Sequence, residues 1–397
     1  MDFAHDGATL ALTERAFAFV REHALPAERV LDEQLAAHPE QWGDWPIVKQ
    51  LQERAREQGL WNLFLPGDPE VTGGAGLTNV QYAPIAEATG WSPRLGPVAF
   101  NCAAPDTGNM EVLNDFGTPA QKDQWLRPLL NAQIRSAFCM TEPAVASSDA
   151  TNIGTRIGRD GDHYVISGRK WWSTGAMNPE AAVFIVMGKT DPDAERHRQQ
   201  SMILVPRDAP GVEIVRPLTV FGYADRDHGG HAEIVFDDVR VPADHLIAGE
   251  GDGFAIAQAR LGPGRIHHCM RSLGTAEHAV ALVKERANER HAFGRTLAEH
   301  GVVREWAAES RIQLEALRLL VLKTAWLMDT VGNRRAMTEI QAIKIAVPRA
   351  VQQILDRAIQ LHGGALAEMF AGIRSLRIAD GPDEVHLASL GRAELRE

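Results

Sequence analysis

Cysteine is scarce in this chain. Only Cys102, Cys139 and Cys269 occur among 397 residues, far apart and in no CxxC spacing. That excludes a disulfide framework and a cysteine-based zinc site, and it suits a reducing compartment. Long apolar runs are missing too. The most apolar stretches, AAVFIVMG and RLLVLKTAWLM, are short or broken by charge, whereas a membrane helix needs about 20 such residues. The opening MDFAHDGATLALTERAF carries acids and lacks the basic-then-apolar order of a secretion signal. No basic stripe is present: arginines alternate with acids along helical segments, and the formal net charge is −11. A field of that sign repels a phosphodiester backbone. The expectation is a cytoplasmic protein with no membrane span and no nucleic-acid partner.

What is present fits a globular chain of two or three cooperating domains, with 45% hydrophobic and 23% charged residues. Residues 1–135 carry apolar positions at helical spacing, as in IVKQLQERAREQGLWNLF, interrupted by LPGDPEVTGGAG and GWSPRLGP. Over 136–248 the pattern changes to short strands: HYVISGRKWWST, AAVFIVMGKT, QSMILVPRD, VEIVRPL and HAEIVFDDVRV. Asp, Gly and Pro turns separate them, so they read as a small sheet or barrel domain. Residues 249–397 return to helical periodicity. Three long amphipathic helices are predicted there, over 254–290 with a bend at LGPG, over 303–331, and over 339–361 with a kink at Pro348. The fold class is α+β, in the order helical, β, helical. No GxGxxG follows a strand, so the Rossmann-type dinucleotide fingerprint is absent.

Several stretches are unusual for core or surface alone. FCMTEPAVASSDATNI, at 138–153, gathers small residues and hydroxyls where backbone N–H groups can approach phosphate or a heteroaromatic ring. In GRKWWSTGA, at 168–176, strand alternation sends two adjacent tryptophans to opposite faces, one to pack and one to cover a planar ring. LGPGRIHHCMRSLG, at 261–274, opens a long helix. In ERHAFGRTL, at 289–297, Arg290 and Arg295 are placed to fork a pyrophosphate. IQLHGG and RIADGPDEVHL close the set, the latter with Asp380, Asp383 and Glu384 around a Gly-Pro turn.

Together these stretches resemble the acyl-CoA dehydrogenase family. FCMTEP with SD, KWWST, RHAFGR, QLHGG and an acid-Gly turn come in the family's order and spacing, and the whole chain follows its layout. TEPAVASSD, LGPGRIHHCMR and ADGPDEVH further resemble a subgroup of long multidomain relatives, whose kinase-like portions have no counterpart here. The resemblance implies an N-terminal helical domain, a middle β domain and a C-terminal four-helix bundle. It also implies bound FAD, α,β-dehydrogenation of a fatty acyl-CoA, and electron transfer to an electron-transferring flavoprotein. A homodimer or homotetramer is implied as well.

That reaction needs a base for the α-proton of a thioester, hydrogen bonds to the carbonyl as enolate character develops, and a dry pocket. The family's usual base is a glutamate directly before a glycine; the matching residue here is Asp380, before Gly381 and Pro382. Some relatives place the base directly before an arginine that matches Arg265, but that position is Gly264. Asp is one methylene shorter than Glu, so either the turn or the substrate must come closer. The plainer alternative is that Asp380 caps an Asp-Gly turn. The resemblance carries flavin contacts to Phe138, Met140, Thr141, Trp172, Ser173 and Thr174, with Thr174 at N5, and leaves Ser147 and Ser148 competing for one role. It assigns Arg290 and Phe293 to a contact with the FAD across a subunit boundary, and Gln360, Gly363 and Gly364 to the adenosine end. Pro382, Asp383 and Glu384 fall to the cofactor side of the turn, and Ser147, Arg265 and Gly381 to the substrate. His267 and His268 read as packing residues, and His386 as helix surface. No metal ligand set is evident. Two other readings share the fold: a nitroalkane-oxidase-like enzyme using the same aspartate, and a non-catalytic DNA-binding relative.

Overall fold

The computed structural model describes residues 4–395, which form two compact units. One gathers the residues up to 28, 77–97 and those from 262 onward; the other gathers 29–76 and 98–261. Among the described residues no helix is long and apolar enough to cross a membrane, and no group of side chains has the makings of a metal site.

The first unit is helical. Its long helices, Gly253–Glu289 (from residue 262), Gly301–Val331 and Met337–His362, pack with the shorter Asp383–Glu394 as a bundle. The predicted bounds fall within two residues of these. The helix Asn79–Thr89 joins them, started by a capping box in which Thr78 Oγ1 and Gln81 Oε1 each accept the other residue's backbone N–H. Gly90 and Gly274 let backbones meet. A Cβ at Gly274 would stand 1.8 Å from the Glu87 carbonyl oxygen, and one at Gly90 would stand 1.9 Å from that of Arg271. Nearby, Arg318 donates to both Glu87 and Glu277 at 2.7 Å.

The second unit is built on a seven-stranded sheet. Its strands are β1 Arg135–Cys139, β2 Arg156–Asp160, β3 His163–Thr174, β4 Ala181–Lys189, β5 Gln200–Pro206, β6 Val212–Leu218 and β7 His231–Pro242. Strands β2, β3, β7 and β6 follow one another antiparallel. β4 pairs β1 in parallel, β5 antiparallel, and touches β2 through Arg156 and Lys189. Alternate residues of these strands, among them Phe184, Val186, Ile203, Val205, Ile234 and Phe236, close a dry core. The sequence pattern named neither β1 nor β2; in β2, Arg-Ile-Gly-Arg-Asp offers a single apolar side chain.

The tryptophan pair departs from simple alternation. The β3–β7 register shifts between Lys170 and Ser173, and Trp172 adopts φ +54°. A bulky residue in the left-handed region is a genuine backbone outlier. The bulge pushes the Trp172 ring outward, 38% exposed, while its centroid stays 6.0 Å from that of Trp171 at a tilt of 55°.

Candidate functional site

Two clusters of predicted residues form, one in each unit. In the sheet unit, a buried ion pair fixes the loop after β1. Lys170 is fully buried on β3, and its Nζ donates to the Met140 carbonyl at 2.9 Å and to Glu142 Oε1 at 2.8 Å. Burial pushes the Lys170 amine down to about 8, against the pull of Glu142. Burial alone would raise the Glu142 carboxyl. Lys170, with the N–H groups of Gly154 and Thr155 at 2.7 and 2.9 Å, holds it below the usual range instead. Ser147 Oγ accepts from the Glu142 N–H at 2.8 Å, closing the loop, and Ser148 is exposed. Trp171 N–H donates to the Thr141 carbonyl at 3.0 Å.

Around this loop the candidate flavin contacts gather. Phe138 lies under the Arg260 guanidinium, 3.9 Å from ring to carbon. Ser173 is fully buried, whereas Trp172 and Thr174 reach toward the surface at the end of β3. The Thr174 hydroxyl lies 2.9 Å from His231 Nδ1, and His231 Nε2 lies 2.7 Å from Asp225 Oδ2. Among the described residues, Trp171 Nε1 is buried without a hydrogen-bond partner.

In the helical unit, the C-terminal turn places Asp380. Asp380 and Gly381 both have positive φ, +55° and +101°. Two buried cations hold the backbone there: Arg265 Nε donates to the Asp380 carbonyl at 3.0 Å, and Lys344 Nζ donates to the Ala379 carbonyl at 2.9 Å and to that of Leu376. Burial pushes both of these cations below their ordinary values. The Asp380 carboxylate reaches toward the helix Gly253–Glu289, where Oδ2 stands 3.6 Å from His268 Nε2. A Cβ built on Gly264 would lie 3.9 Å from the same oxygen. The two positions weighed for the base in the sequence, 264 and 380, therefore face one spot. Arg271 donates to His268 Nδ1 at 3.2 Å, so a neutral His268 turns its Nε2–H to Asp380.

The neighbours of Asp380 differ in role. Asp383 opens the last helix and accepts from Arg349 at 2.9 Å and Arg377 at 2.8 Å. Burial opposes its charge, but the two arginines hold its carboxyl below the usual range. Pro382 precedes that helix, and Glu384 is exposed in its first turn. His386 corrects the surface reading. It is buried against the turn, where a Cβ on Gly381 would meet its Nε2 at 2.9 Å, and burial pushes its imidazole down to about 4. His267 packs edge-on against Tyr82, and burial pushes it down to about 3.

The remaining candidates lie in the helical unit, outside the Asp380 turn. Arg290 ends its helix exposed, making no ion pair with Glu285 or Glu289 among the described residues. Phe293, at φ +54° and 97% exposed, tips the hairpin of His291–Ala292 and Arg295–Thr296. Gln360, Gly363 and Gly364 are exposed where Met337–His362 ends.

Comparison with known proteins decides the family. The models of the acyl-CoA dehydrogenase N-terminal, middle and C-terminal domains match residues 11–133, 137–239 and 251–395. The chain belongs to the acyl-CoA dehydrogenase family. It is 54% identical over its full length to FadE2 of Mycobacterium tuberculosis, covering 97% of that protein. Over 96% of its length it is 55% identical to acyl-CoA dehydrogenase family member 11 of Homo sapiens, of which it spans about half, 49%. A solved Mycobacterium abscessus structure superposes with TM-score 0.94 at 49% identity over 99% of each chain. Butyryl-CoA dehydrogenase from Megasphaera elsdenii superposes with TM-score 0.84 at 25% identity over both full chains.

As an acyl-CoA dehydrogenase family member the protein is an oxidoreductase and a flavoprotein, with FAD as its cofactor. The sheet cluster fits a flavin. A strained, outward-facing indole and a buried indole N–H with no acceptor among the described residues suit a flat ring edged with acceptors. Sequence reasoning missed Lys170, Glu142, His231, Asp225, His268 and Lys344. For the first two the signal was legible, since a lysine and a glutamate inside apolar segments demand a partner.

Proposed function

We propose that this protein oxidises a fatty acyl-CoA to the trans-2-enoyl-CoA, with Asp380 as the base for the α-proton. FAD, when bound, supplies the hydride acceptor, N5, for the β-hydrogen. The observation that carries the reading is the Asp380 turn. The carboxylate sits on a residue in a left-handed conformation, in a turn whose backbone carbonyls are held by Arg265 and Lys344. Positioning of that kind matters because a misplacement of about 1 Å can cost roughly 100-fold.

Each neighbour then has a part. Arg265 and Lys344 fix the turn that carries the carboxylate, and both cations feel its charge. His268 offers an N–H beside Oδ2 and limits its rotation. In the sheet unit, the Glu142–Lys170 pair shapes the loop that receives the cofactor. Phe138, Met140, Thr141, Ser147, Trp172 and Thr174 supply its contacts, with Arg290, Phe293, Gln360, Gly363 and Gly364 toward its far end. Ser147 and Gly381 are the further substrate contacts. The electrons pass on to an electron-transferring flavoprotein. The working division of the chain is 1–135, 136–248 and 249–397. A homodimer or homotetramer is supported by Phe293 and by Ile312, Leu319 and Trp326, exposed at seven-residue spacing on the helix Gly301–Val331. Three buried free cysteines suit a cytoplasmic setting.

Anaerobic titration with acyl-CoAs of increasing chain length tests the reading through bleaching of the flavin. Saturated straight-chain acyl-CoAs are expected to bleach it. Turnover of nitroethane with peroxide release, and no bleaching by any acyl-CoA, would assign the same aspartate to nitroalkane oxidation instead.

A further inference from the structure

Thr174, His231 and Asp225 form a chain of hydrogen bonds that none of the predicted roles requires. Thr174 ends β3 and His231 begins β7, directly across the ladder. Asp225 comes from the turn before β7, in the left-handed conformation at φ 51°, ψ 42°. Its carbonyl accepts from the N–H groups of His228 at 3.1 Å and Gly230 at 2.8 Å, so the turn is tightly closed. A non-glycine residue held in that conformation marks a place where the surrounding structure fixes the geometry.

The chemistry sets a direction. A carboxylate only accepts, so the 2.7 Å contact puts the imidazole proton on His231 Nε2. In the tautomer this fixes, Nδ1 carries the lone pair and accepts the Thr174 hydroxyl at 2.9 Å. The hydroxyl proton is committed inward, and its oxygen presents lone pairs outward. The strained Trp172 ring lies beside the same imidazole, 6.0 Å between centroids and tilted by 59°.

We propose that Asp225 and His231 are positioning residues that make Thr174 a hydrogen-bond acceptor toward the flavin. The inference rests on the reading that Thr174 faces N5. An acceptor at that edge favours the reduced ring, which carries N–H there, over the oxidised ring, which does not. Asp225 thus sets the flavin's potential from two residues away.

The test is the midpoint potential of the bound flavin, measured by reductive titration against a redox dye. Loss of one neutral hydrogen bond corresponds to roughly fivefold in the two-electron equilibrium, or about 20 mV. Thr174→Val is expected to lower the potential by about that amount, and Thr174→Ser to restore it. Asp225→Asn presents an amide N–H to Nε2, reverses the tautomer and makes Thr174 a donor; it is expected to lower the potential at least as far. In the Thr174→Val background Asp225→Asn is expected to add nothing. His231→Phe serves where Asp225→Asn fails to hold flavin, with the same two expectations. An unchanged potential in Asp225→Asn or His231→Phe, or an equal shift with and without Thr174, would reduce the chain to a structural tie. If Thr174→Val itself leaves the potential unchanged, the placement of Thr174 at the flavin fails instead.

Discussion

At Asp380 a single side chain meets four constraints: a left-handed backbone, Arg265 on its carbonyl, His268 beside its carboxylate, and a glycine facing it at 264. Because a Cβ at position 264 would face the same oxygen, the proposed base can be tested by moving it. Asp380→Gly is expected to abolish flavin bleaching, and adding Gly264→Glu is expected to recover it by at least about tenfold, as read by anaerobic stopped flow. No recovery, with the fold intact, would mean that the two positions are not interchangeable. A second residue-scale prediction concerns His267, pushed down to about 3 by burial against an ordinary value of 6.5. Between those values the unfolded chain binds a proton that the folded one does not, so stability is complete above pH 6.5 and is lost as pH falls. His267→Phe keeps the ring on Tyr82 and removes the proton. The slope of unfolding free energy between pH 6.5 and 4 is expected to fall by about 1.4 kcal/mol per pH unit. An unchanged slope would show that the histidine charges in place.

At the scale of elements, the most sensitive points are where backbones or charges meet without slack. Lys170→Met leaves Glu142 buried and uncompensated, which costs on the order of 3–5 kcal/mol. Urea unfolding is expected to show that loss, with partial recovery in the double variant that adds Glu142→Gln. Gly274→Ala drives a methyl into the Glu87 carbonyl, so the helices Asn79–Thr89 and Gly253–Glu289 must separate. Its cost is expected to exceed the roughly 1–3 kcal/mol typical of overpacking, and a thermal midpoint within a degree of the parent would contradict this. The elements themselves were legible in the chain. Period 3.6 marked the three long helices, and β-branched runs between Gly and Pro turns marked β3 to β7. Less legible was what bends an element. The Trp172 bulge reverses simple alternation, and nothing local in KWWST announces it. His386 sits in a polar stretch and reads as surface, yet the Asp380 turn folds over it.

For the whole molecule, motif order along the chain carried the family, and long-range pairing carried the rest of the site. Asp380 was visible as an acid before a glycine. Lys344, which ties its turn and feels its charge, and His268 lie 36 and 112 positions away in sequence, inside helices whose periodicity explains them as ordinary turns of a bundle. The Asp225–His231–Thr174 chain was hidden for the same reason, since hydrogen-bond partners across a sheet leave no spacing rule. The loop proposed to receive the flavin belongs to one unit and the Asp380 turn to the other. The central claim is that the turn supplies the base. Asp380→Asn keeps the shape and removes the basicity. Mixed anaerobically with an acyl-CoA that bleaches the parent, the variant is expected to stay yellow, its rate lowered by at least about 100-fold with its flavin content unchanged. Bleaching at the parental rate would place the base elsewhere.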